Sequence, residues 1–155
     1  MKINIAFLLL CAALASCGVN TQNEEPKKTA MPIVGTWKLI SGTLIEKGDT
    51  TVTDYTKNLS FIKIINDSHF AFTGHDLNKG KDSAAMFTAG SGHYTLADSL
   101  YTEHLEYCND RQWEGNDFSF TITIQNDTLT QTGIEKVEEA GVNRLNIERY
   151  VRMKK

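Results

Sequence analysis

From residue 34 to the end of the chain, apolar and polar residues alternate in short runs, and no helical period emerges. The clearest run is DFSFTITIQ, residues 117–125. Phe118, Phe120, Ile122 and Ile124 fall on one face; Ser119, Thr121 and Thr123 fall on the other. A period of two with one apolar face marks a strand lying half in a core. Similar runs recur at 34–47, 51–57, 59–65, 69–75, 86–97, 100–108, 128–137 and 144–153. Turn residues separate them: Gly48-Asp49, Asn66-Asp67, Asp98-Ser99 and Asn126-Asp127. Gly90 and Gly92 inside one run predict a bulge or a bend there. Closely spaced strands joined mainly by hairpins predict an all-β domain, a single antiparallel barrel or sandwich of about 8–10 strands.

The alternation also sorts side chains by face. In LYTEHLEYC, residues 100–108, Tyr101, Glu103, Leu105 and Tyr107 share one face, and Thr102, His104 and Glu106 share the other. The first set is the more apolar, so it is expected inside, carrying Glu103 with it. In the last run, Glu148, Tyr150 and Arg152 oppose Ile147, Arg149 and Val151. Either choice buries a charge, which is costly unless a partner meets it.

The first thirty residues differ from the rest. Lys2 precedes an apolar stretch, Ile3 to Ala15, broken only by Asn4. That stretch is shorter than the roughly 20 residues a spanning helix requires. A charged start, a short apolar centre and small residues at the end make a secretory signal. Leu14-Ala15-Ser16-Cys17 resembles the lipobox of bacterial lipoproteins. That resemblance implies cleavage before Cys17 and acylation of its thiol, with two or more acyl chains giving stable anchoring. The expected organisation is a signal over 1–16, a polar, flexible tether over 17–30 and one domain over 31–155. Gly18 follows the cysteine rather than Asp, and the resemblance to bacterial lipoproteins then implies the outer membrane of a Gram-negative cell envelope.

Composition narrows the remaining possibilities. With the signal removed, 15 basic and 19 acidic residues leave a net charge of −4. A nucleic-acid partner calls for a basic face, so none is expected. Once Cys11 and Cys17 are accounted for, Cys108 stands alone and forms no internal disulfide. His104 lies four residues from it, on the same face of a regular strand but roughly 13 Å away, too far to serve as a base. The four histidines, at 69, 75, 93 and 104, lack zinc-ligand spacing, and no phosphate-binding loop occurs. No metal, cofactor or catalytic residue is expected.

Three further motifs occur in order: Gly35-Thr36-Trp37, Tyr101-Thr102-Glu103 and Glu148-Arg149-Tyr150-Val151-Arg152. Together they resemble the lipocalins, and more narrowly the small lipocalin-like lipoproteins of Bacteroidetes. The resemblance implies an up-and-down barrel closed at one end by Gly35 and Trp37, with Arg152 over the indole. The first functional reading is a non-enzymatic barrel binding a small, partly apolar or amphipathic ligand, with Tyr101, Glu103, Tyr107, Glu148 and Tyr150 around it. In that reading Glu103, Glu148 and Arg152 form the polar centre. The alternative is a barrel filled by side chains, acting as an envelope interaction or inhibitor module. Its loops 78–85 and 109–116 would meet a protein partner, with Trp113 as the anchor.

Overall fold

The computed structural model describes residues 31–81 and 83–154. The signal, Cys17 and the tether fall outside them. The described chain is all-β, with nine strands: β1 (Gly35–Glu46), β2 (Asp49–Asp54), β3 (Leu59–Ile65), β4 (His69–Asp76), β5 (Phe87–Ala97), β6 (Leu100–Cys108), β7 (Asp117–Gln125), β8 (Thr128–Val137) and β9 (Val142–Arg152). Seven of the nine runs expected from alternation match a strand to within one residue at both ends: β1, β3, β4, β5, β6, β7 and β8. Runs 59–65, 100–108 and 128–137 coincide with β3, β6 and β8, and 117–125 with β7. The run at 86–97 is one strand.

All pairings are antiparallel, and β9 returns to pair with β1, closing a barrel of eight strands. The extra strand is β2. The first residues of β1, Gly35–Lys38, pair with β3, while its last, Ser41–Glu46, pair with β2. Both neighbours lie along one edge of β1, so β2 adds a flap at one rim.

Tight turns hold the strands in register. At Lys47-Gly48 and at Asn126-Asp127 both residues have positive φ. That is the twist a two-residue hairpin demands. Two bulges break the alternation. In β1, Leu39 pairs with Tyr150 but Ser41 pairs with Arg149, so one residue is extra between them. Trp37 and Leu39 therefore face inward before the bulge, and Gly42 and Leu44 after it. In β6, Leu105 pairs with Gly92 and Tyr107 with Ser91. Glycine is required at 92, because a Cβ there would strike the carbonyl of His104.

One end of the barrel is solid. Trp37, Leu39, Ile65, Phe70, Tyr101, Ile122 and Leu129 are buried there. Residues 31–34 cross beneath them. Trp37 Nε1 donates to the Ile33 carbonyl at 2.8 Å, and the Arg152 guanidinium lies 4.0 Å from the centre of the indole ring. Arg152 also donates to the carbonyls of Pro32 and Val34. Gly35, at φ 150°, leaves room for that guanidinium, since a Cβ would collide with it. Gly35, Trp37 and Arg152 thus make one closure, and the chain arrives at the domain on this side.

Candidate functional site

The other end is hollow. A cavity of about 330 Å³ opens between β1, β2, β3, β4 and the inner faces of β5 to β9. One wall is apolar: Phe61 and Phe72 stack at 5.7 Å, and Leu105, Phe118 and Phe120 continue the surface. The opposite wall is polar, built by Gln131 and Glu135 from β8 and Asn146, Glu148 and Tyr150 from β9. The size and the division into apolar and polar walls are those of a small-molecule site. A filled barrel would have no such space.

Lys63 stands deep in the cavity, 2% exposed. Its Nζ donates to Glu103 Oε1 at 2.6 Å and to Gln131 Oε1 at 3.1 Å. The rings of Phe70, Tyr101 and Tyr150 surround it, with centroids at 5.9, 6.0 and 5.4 Å. A buried ammonium is tolerable only with such company. Gln131 orients its amide by giving Nε2 to Glu148 Oε2 at 2.7 Å, and the Tyr150 hydroxyl donates to the same oxygen at 2.8 Å. Nearer the mouth, Arg144 donates to Glu135 at 2.7 Å and lies 5.3 Å from the Trp113 ring centre. Asn146 completes Glu135 at 2.7 Å.

The structure brings Glu103, Glu148 and Tyr150 to this cavity, as the strand patterns suggested. Tyr101 is fully buried but lies outside the lining. Its hydroxyl has no hydrogen-bond partner among the described residues, and burial beside Glu103 raises its pKa. Tyr107 is a correction: it is 66% exposed. The β6 bulge puts Glu106 and Tyr107 both outside and turns Cys108 inward, undoing the simple alternation. His104 consequently faces away from Cys108 and pairs with Asp117 outside. Burial pushes the Cys108 thiol pKa up. Arg152 lies over Trp37 at the closed end, where the resemblance put it, and takes no part in the polar centre, whose cation is Lys63. Trp113, expected as a loop anchor, is half-buried against Phe118 at 5.6 Å and forms part of the mouth. Among the described residues, no three His, Cys, Asp or Glu side chains are arranged to hold a metal.

Burial raises the Glu148 pKa above the ordinary value of 4.5. Lys63 and the Tyr150 hydrogen bond oppose this; Glu135 and Glu103 reinforce it. The folded chain therefore holds this proton more tightly than the unfolded chain. Stability is expected to fall as pH rises from 4.5 to the raised value, then level off. Glu148→Gln should remove that decline. Urea denaturation of both proteins across this range checks it, and an unchanged decline in the variant would assign it to other groups.

No protein-family model matches this chain, and no curated protein matches it in sequence.

Proposed function

We propose that this protein is a lipid-anchored, lipocalin-like carrier of the Gram-negative cell envelope, held at the outer membrane through Cys17 and binding one small, partly apolar molecule in its barrel. The observation that carries the reading is the cavity of about 330 Å³, open at one end and closed at the other by the Trp37–Arg152 arrangement. Its aromatic wall supplies burial for an apolar body, and its carboxylates and amides supply orientation. The reading assigns no reaction and no cofactor. The envelope address rests on the signal-like start and the Leu14–Cys17 motif.

Native mass spectrometry of the protein purified gently from its own host tests the carrier role. A reproducible bound mass is expected, and it should vanish in Leu44→Trp, which fills the mouth from a half-buried lining position. A clean unliganded mass, together with no uptake of apolar probes, would sink the carrier. Metabolic labelling with a fatty-acid analogue tests the anchor, since Cys17→Ser should abolish incorporation.

A further inference from the structure

The carboxylates lining the cavity (Glu103, Asp110, Glu135 and Glu148) outnumber its cations, Lys63 and Arg144, and inside the barrel the imbalance falls on Glu148. Each cation is already matched: Lys63 by Glu103 at 2.6 Å and Arg144 by Glu135 at 2.7 Å. Asp110 is exposed at the rim, so Glu148 is the remaining carboxylate within the barrel, and it has no cation of its own. Its Oε2 accepts from Gln131 and from Tyr150, while Oε1 accepts from none of the described residues. Glu148 lines the cavity opposite the aromatic wall. Glu148 is half-buried, and a ligand seated in the cavity would cover it. A covered carboxylate without a counter-charge is unfavourable and is relieved by a partner that brings positive charge and N–H donors.

We propose that the cavity takes an organic amine, with its ammonium on Glu148 Oε1 and its aromatic or aliphatic body against Phe61, Phe72, Phe118 and Phe120. This rests on the carrier reading above and names the chemical class of its cargo. The rings near the polar wall help, because their faces attract a cation that has lost its water. An anion meets the reverse situation: both cations are occupied, and it would add a further negative charge beside Glu103, Glu135 and Glu148. A neutral body alone would leave Glu148 desolvated with nothing on Oε1.

The charged and titratable groups facing Glu148 are Lys63 on β3, Glu103 and Tyr101 on β6, Glu135 on β8, Arg144 and Tyr150 on β9, and Tyr55 after β2. Burial holds the hydroxyls of Tyr55 and Tyr150 above the usual range, so both stay neutral donors. Protonation of Glu148 removes the attraction for an ammonium. Amine binding should therefore weaken on acidification, while binding of a neutral analogue should not.

The test uses three probes that differ only in the head group: 4-phenylbutylamine, 4-phenylbutan-1-ol and 4-phenylbutanoate. Each competes with the neutral fluorophore N-phenyl-1-naphthylamine for the purified protein at mildly alkaline pH. The amine is expected to bind about tenfold more tightly than the alcohol, and the acid most weakly. Glu148→Gln should bring amine and alcohol together, with the fluorophore's own affinity measured in the same variant, since a glutamine oxygen still accepts from Gln131 and Tyr150 but carries no charge. Glu148→Asp, which keeps the charge, should preserve the preference. Equal displacement by all three heads, or an amine preference that survives Glu148→Gln, overturns the amine assignment and leaves a carrier of other cargo. Failure of the fluorophore and of every probe to bind overturns the carrier reading, and this inference with it.

Discussion

Lys63→Met is expected to cost about 3–5 kcal/mol of folding stability, the usual consequence of removing one member of a buried ion pair. Glu103 is 6% exposed, and without Lys63 it becomes a desolvated carboxylate beside Glu148 and Glu135. Gln131 loses a donor at the same moment. The double variant Lys63→Met/Glu103→Leu should recover most of the loss, because two apolar side chains of similar size need no counter-charge. Urea denaturation of the two single variants and the double completes the cycle. Additive losses, with no recovery in the double, would mean that Lys63 and Glu103 act independently.

Trp37→Ala is the second large effect, expected at about 3–5 kcal/mol from the lost burial and the cavity left behind. Trp37 is fully buried, and its indole carries both the hydrogen bond to Ile33 and the guanidinium of Arg152. Arg152→Lys should cost less, about 1–2 kcal/mol, because an ammonium does not reproduce the flat stack and the paired donation to Pro32 and Val34. Thermal unfolding ranks the two. An Arg152→Lys loss as large as that of Trp37→Ala would mean that the strap over residues 31–34, rather than the indole, sustains the closed end.

Strand positions were legible in the sequence wherever one face was apolar and the other polar. β7 is the plainest case, with Phe118, Phe120 and Ile122 buried as the alternation demands. The closed end was legible too, because Gly35, Trp37 and Arg152 lie in short motifs. The polar centre was only half legible. Glu103 and Glu148 stood out because each choice of face buried a charge. Lys63 did not, because LSFIKII is apolar on both sides: Phe61, Lys63 and Ile65 point inward while Ile64 is 48% exposed. Gln131 and Asn146 were hidden in the same way, since the walls of a polar cavity blur the contrast that alternation measures. Tyr107 and Cys108 were misplaced by a bulge, which one inserted residue creates and no pattern of period two can register.

The route by which the chain reaches the domain has an orientational consequence. Residues 31–34 run under the solid base, opposite the open rim. If Cys17 carries the acyl chains proposed above, residues 18–30 would allow a span of at most about 45 Å between bilayer and base. On that reading the tether would meet the barrel at its closed base, leaving the open rim at the end away from the attachment. Cargo would be exchanged with the surrounding solution or with a partner above the membrane, and a molecule dissolved in the bilayer would have to leave it before it could be collected.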